Sequence, residues 1–185
     1  MTTYDDALTL GTARQRYFDA NGFDGSYDER WVKLQAGPIP LYFPNAKGRV
    51  RAVKLHDLHH IATGYQTDWT GEAEIAAWEI AGNCGRFGWA WQLNLSALVI
   101  GLAIAPRRTF RAFARGRRSR NLYTTEGDFR DQLLGRAVGT VRHTLGLDHP
   151  PAPATAVDVL AFAAASLAAV AYTLAPLAIL AWWWF

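Results

Sequence analysis

Two histidines four residues apart, His56 and His60, stand in the string HDLHH at 56–60 and are the chain's clearest concentration of potential chemistry. On a helix, residues i and i+4 project from one face, so the two imidazoles converge, which is half of a metal site. Asp57 lies one step round the helix and offers a carboxylate oxygen. Glu72 follows a turn closed by Gly64 and opened by Asp68, in the first turn of the next helix, and antiparallel packing would return it to the level of the histidines. Two nitrogens and two oxygens suit a divalent ion, zinc first, with iron or manganese as alternatives. Spacing alone leaves His59, at i+3, competing with His60, and a solvated histidine face would give the same pattern. Cys84 is the single cysteine; it excludes an intrachain disulfide and reads as packing. Tyr65, Tyr123 and Lys54 could assist such a site, but as sequence they are ordinary core or surface residues.

The elements that must position these side chains read as helices. Residues 4–22 form an amphipathic pattern through Leu8, Ala13, Tyr17 and Phe18, ending at Asn21-Gly22. Prolines at 38, 40 and 44 forbid a regular helix in the following segment, which is expected to be a loop. Helical spacing resumes from about Arg49 to Gly64, and again from Trp69 to Ala81 behind the capping pair Thr67-Asp68. Residues 87–105 are apolar except for Gln92, Asn94 and Ser96, which suits a helix lining an apolar groove or an ordinary core helix. Beyond Pro106 an arginine-rich helix is expected, then one amphipathic helix over 128–146. With no repeat and no clear alternating strand pattern, the expected fold is all-α, a compact helical domain with a C-terminal transmembrane helix. Its parts are an N-terminal helix and Pro/Gly-rich loop (1–45), a metal-binding helical domain (46–147), a linker (148–156) and a membrane anchor (157–185).

Composition supports the anchor. The final 29 residues carry one charge, Asp158, and a helix of that length is about 43 Å long against a hydrocarbon core of about 30 Å. Pro176 should kink it, and Trp182-Trp183-Trp184 suits a membrane interface. The net charge of +3 conceals seven arginines between Pro106 and Arg120 with no acid among them. A solvated face, a contact to anionic headgroups and a clamp for a substrate carboxylate all fit that cluster. Nucleic acid is not an expected partner, because aromatics are not interleaved as a stacking platform. The acidic N-terminal stretch has neither the apolar core of a signal peptide nor the arginine-rich character of a transit peptide. The expected location is a bacterial inner membrane with the main domain on the cytoplasmic side.

The motif His56-Asp57-Leu58-His59-His60, eleven residues, then Glu72 resembles the signature of the ubiquinone-biosynthesis family typified by the fourth protein of the eukaryotic coenzyme Q series. Gly64, the Gly71-Glu72 pair, the Trp78-Glu79 pair, GRRSRNLY at 116–123 and the helix ending Leu145-Gly146-Leu147 extend the likeness over about residues 46–147. The HD phosphohydrolases, which share an HD pair, need a histidine upstream, and His56 is the first in this chain. The family resemblance implies the ligand set His56, Asp57, His60 and Glu72. It further implies a membrane-associated protein acting on a prenylated hydroxybenzoate, removing the C1 carboxylate in an oxidative step that installs a hydroxyl. A prenylated aromatic lipid, the membrane and other ubiquinone-biosynthesis enzymes are the implied partners. Residues 1–45 and the C-terminal apolar segment depart from the family pattern. A non-catalytic organiser or prenyl-lipid-binding scaffold, stapled by the same metal, is the rival expectation.

Overall fold

The computed structural model describes residues 4–23, 27–36, 39–150 and 152–184. The chain begins with α1 (Leu10–Asn21), capped by the Thr9 hydroxyl on the amide of Thr12 and buried through Leu10, Ala13, Tyr17 and Phe18. Two strands follow, β1 (Trp31–Ala36) and β2 (Ile39–Pro44), paired antiparallel with Trp31 opposite Pro44 and Ala36 opposite Ile39. This hairpin stands where a loop was expected. Pro40 and Pro44 of β2 exclude helix but are tolerated in a two-stranded ribbon, whose outer edges need no ladder partner, and Pro38 lies outside the described residues.

Then come α2 (Lys47–Thr63), α3 (Trp69–Ala81), α4 (Gly88–Ile104) and α5 (Pro106–Gly116). The one-turn α6 spans Leu122–Thr125, α7 spans Val138–Leu145, and α8 runs over Ala156–Trp184. The fold is all-α apart from the hairpin, with an apolar C-terminal helix long enough to cross a membrane over Ala156–Pro176.

The single amphipathic helix expected over 128–146 is instead a tight 3₁₀ turn, Asp131–Gly135, followed by the shorter α7. The cause is tertiary. Leu10 donates to the Arg136 carbonyl and Val138 to the Leu8 carbonyl, so residues 136–138 are drawn extended against the start of α1.

α3 is central and buried along most of its length, packing against both α4 and α5. A methyl group on Gly116 would lie 2.3 Å from the Trp78 carbonyl, so α5 meets α3 backbone to backbone. Around α3 collect Leu55, Leu58 and Ile61 of α2, Leu98 of α4, Phe113 of α5 and Leu122 of α6, all buried. α2 turns into α3 through Gly64, which is left-handed (φ 79°), and the Asp68 carboxylate, which caps α3 on the amide of Gly71 at 2.7 Å. That short connection places the α3 N-terminus beside the histidines of α2.

Candidate metal centre

His56, His60 and Glu72 converge. The two Nε2 atoms lie 3.2 Å apart, and the Glu72 carboxylate presents Oε2 to His56 Nε2 and Oε1 to His60 Nε2, each at 3.4 Å. Donors about 2.1 Å from a shared tetrahedral zinc ion stand roughly 3.4 Å apart. The triangle therefore has the size a first-row divalent ion requires.

The hydrogen bonds behind the triangle decide what its corners offer. His60 Nδ1 lies 2.9 Å from the carbonyl of Tyr65, an acceptor without a proton, so Nδ1 donates and Nε2 is left bare in the neutral ring. His56 Nδ1 donates to Oε1 of Glu79 at 2.8 Å, with the same result. Two bare nitrogens and a carboxylate facing one point repel one another unless a cation sits between them. The orienting partners are of the kind that fixes metal-bound histidines. Without an ion, a proton on His56 can supply that positive charge. Burial works against a charge on His56, but Glu79 and Glu72 outweigh it and hold its imidazole well above the ordinary histidine range. Burial pushes Glu72 up, yet its bonds to His56 and His60 win and hold it at about 2.

His59 is settled by its neighbours. Its Nδ1 donates to Glu79 Oε1 at 2.6 Å, and its Nε2 accepts the amide of Leu122 at 2.8 Å. Both nitrogens are occupied, the ring is wholly buried, and burial holds its pKa below the ordinary value. It is a structural histidine that ties α2 to α6.

Asp57 lies on α2 beside the centre but is engaged elsewhere. The Tyr27 hydroxyl donates to its Oδ2 at 2.5 Å, and Asn45 holds that tyrosine's segment through bonds to the carbonyls of Tyr27 and Glu29. Burial raises the Asp57 carboxyl, partly offset by the Tyr27 bond. Among the described residues, the groups whose ligand atoms all lie within 4.8 Å of one another are His56, His60 and Glu72, and Asp57 is not of that set.

Glu79 is the residue that spacing did not single out. It is fully buried, and besides the two histidines it accepts from Asn94 Nδ2 at 2.6 Å and from the Tyr123 hydroxyl at 3.2 Å. One carboxylate thus joins α2, α3, α4 and α6 and sets the tautomers of two histidines. Its signal lies in the sequence: Glu72 and Glu79 are seven apart, two turns along one face of α3. Tyr123 assists through this hub, and Tyr65 assists through its carbonyl. Lys54 instead lies over the rings of Tyr27 and Phe129. Cys84 is buried, its thiol pushed up by that burial, and packs beside Asn94.

The centre is open on one side. The His60 side chain is 1% exposed, His56 19% and Glu72 35%, so a ligand would approach past Glu72. A separate cavity of about 120 Å³ lies against His60 and is walled by Tyr4, Tyr17 and Tyr65, with the Tyr17 ring stacked 5.6 Å from the imidazole. His56, His60 and Glu72 thus form a group able to hold a metal ion with room left for an outside ligand. No family model matches the chain, and neither a curated protein nor a solved structure is found similar to it.

Proposed function

We propose that this chain is a membrane-associated, metal-dependent enzyme of ubiquinone biosynthesis that acts on a polyprenyl-hydroxybenzoate, replacing its C1 carboxylate by a hydroxyl whose oxygen comes from O2, with release of CO2 and with an external two-electron donor reducing the other oxygen atom to water. The observation that carries this reading is the convergence of two bare Nε2 atoms and one carboxylate at 3.2–3.4 Å, within a motif that resembles that family's. The proposed ion is zinc, with iron or manganese fitting the same donors. Four protein ligands would nearly close a zinc site, whereas three leave a position for substrate. With Asp57 held by Tyr27, the three-ligand arrangement is the one the hydrogen bonds favour.

A divalent ion bound there would supply Lewis acidity toward a carboxylate or phenolate oxygen of the ring. The chain's own residues do the rest. Glu79 and the Tyr65 carbonyl accept from the Nδ1 atoms and so aim Nε2 of His56 and His60 at the centre, and the Tyr27 hydroxyl bonds Asp57 beside it. The tyrosine-walled cavity, which reaches the centre only through His60, is well below the roughly 300–1,000 Å³ of sites for drug-sized ligands. The prenyl tail has the apolar α4–α8 face available. The setting this implies is a bacterial inner membrane with the helical domain on the cytoplasmic side.

A second reading is favoured by the Glu79 hub, which places the centre at a junction of four helices as a structural staple would be placed. Under that reading the chain is a non-catalytic organiser or prenyl-lipid scaffold for other ubiquinone-biosynthesis enzymes. One experiment separates the two. The metal-loaded protein is given a short-chain prenyl-hydroxybenzoate, oxygen and a reductant, and CO2 release is measured together with the metal content. Turnover that disappears in a folded Glu72→Ala protein supports the enzyme. No turnover, with Glu72→Ala unfolding, supports the staple.

A further inference from the structure

The first turns of α8 are held by the helical domain. Asp158 is 2% exposed and accepts from Arg117 Nε at 2.8 Å and Arg118 Nη2 at 2.5 Å. One turn further on, the Phe162 ring lies between those of Phe113 and Phe110, at 5.4 and 5.3 Å. Ala169 is also buried. As α8 advances from Asp158 to Phe162, its partners recede from Arg117 and Arg118, just past the end of α5, to Phe113 and Phe110 within it, so the two helices run antiparallel. The remaining turn of α5, from Phe110 back to Pro106, covers about 6 Å, which on α8 reaches the level of Ser166.

Arg107 lies on that stretch and Arg111 one residue past Phe110, both exposed and, among the described residues, without an ion-pair partner. The end of α4 meets it there with Ile100 and Ile104 exposed at 37% and 51%. Exposed cations beside exposed isoleucines at one corner have the character of a surface that lies in a headgroup layer. Hydrocarbon cannot begin at Ala156, since Asp158, Arg117, Arg118 and Arg111 would all lie inside it.

We propose that the α4–α5 corner docks on anionic lipid headgroups through Arg107 and Arg111, and so fixes the bilayer surface near Ser166 of α8. The inserted segment is then residues 166–184, nineteen residues or about 29 Å of helix, which matches the hydrocarbon thickness and places the tryptophan triplet at the far interface. The inference rests on the membrane reading above but is independent of the metal.

The test uses the full chain in vesicles of phosphatidylcholine with phosphatidylglycerol, carrying a nitroxide at one of three positions on the exposed ridge of α8: Leu160, Leu167 or Leu174. Each is replaced singly by cysteine, and the buried Cys84 stays unlabelled. A label at 160 is expected to collide with a water-soluble nickel chelate, one at 174 with oxygen, and one at 167 to lie near the crossover. In a protein carrying Arg107→Ala and Arg111→Ala, or in vesicles of phosphatidylcholine alone, the crossover should move toward residue 160 by about one turn, ~5.4 Å. A hydrocarbon profile at 160 in the unaltered protein, or a crossover indifferent to both changes, overturns the proposal. Labels at all three sites shielded from both reagents would identify a second copy of the chain as the occupant and overturn it too. A protein that fails to float with the vesicles removes the membrane reading itself, before the question of level arises.

Discussion

The α2–α3 pair and the α8 face are inversions of each other. In the first, polar groups lie where apolar ones are the rule: His59, His60, Asp57 and Glu79 are all buried. In the second, apolar groups lie where polar ones are the rule: Leu160 and Leu167 are more than 70% exposed. Buried polar atoms are tolerable only when partnered, and every ring nitrogen of α2 has a partner outside the triangle except the two Nε2 atoms, which meet only each other and Glu72. Exposed apolar ridges are costly in water and favourable in lipid. Under the function proposed above, each inversion answers to a component that would complete it, a cation in one case and a bilayer in the other. The difference lies in tolerance. The first region is over-determined by directional bonds, whereas the second depends only on the apolar character of a ridge.

That contrast can be broken at its most determined point. Glu79→Ala leaves the donors of His56, His59, Asn94 and Tyr123 unpaired in the interior, and should cost about 3–5 kcal/mol, read as a fall in the urea midpoint. Glu79→Gln keeps the shape and should chiefly weaken metal retention, by about 10–100-fold. A Glu79→Ala protein as stable as the parent would end the view of this carboxylate as the hub. Next in size is the metal itself. His60→Ala should abolish stoichiometric binding in elemental analysis, while Asp57→Asn should retain it. Loss in both would restore Asp57 as a fourth ligand.

Acid and base sharpen the comparison further, because only the first region titrates. In the metal-free protein Glu72 is depressed from 4.5 to about 2. Its contribution to stability is present above 4.5 and lost as the pH falls from there toward 2, and Glu72→Gln should flatten that slope. His56 has the opposite sign. Its raised pKa contributes stability below 6.5 that is lost as the pH rises through the raised value. A bound ion takes the proton's place, so metal loading should remove that alkaline loss in denaturation curves taken across pH. The smallest effect is expected on α8. Leu160→Ser or Leu167→Ser should shift the stability of the domain in water by no more than about 0.5 kcal/mol. Under the membrane level proposed above, only Leu167→Ser should weaken flotation with vesicles.

What could be read in advance follows the range of the forces involved. The pairing of His56 with His60 is local helix geometry, and the return of Glu72 needs only a short turn with recognisable caps, so these three were legible as residues. The all-α character and the apolar helix followed from periodicity and composition. The choice between His59 and His60 was not legible, because it is made by the Leu122 amide and the Tyr65 carbonyl, groups that any residue could supply. The position of Asp57 likewise depends on Tyr27, thirty residues upstream. The break in the 128–146 pattern comes from pairing with residues 8–10, which nothing within 128–146 announces. The hairpin was obscured because prolines exclude helix without naming what replaces it.

The tight passage from α2 to α3 also acts as a measuring device. A methyl group on Gly71 would fall 2.1 Å from the Gln66 carbonyl, so the loop is pressed against the first turn of α3 with no slack. Each residue of a helix advances the side chain's direction by about 100°. One residue added or removed between Gly71 and Glu72 would swing the carboxylate nearly a third of a turn away from the histidines, and the packed loop could not absorb the change. The number eleven in the motif is thus a phase setting, and length variants in this segment should be far less tolerated than substitutions at its exposed positions.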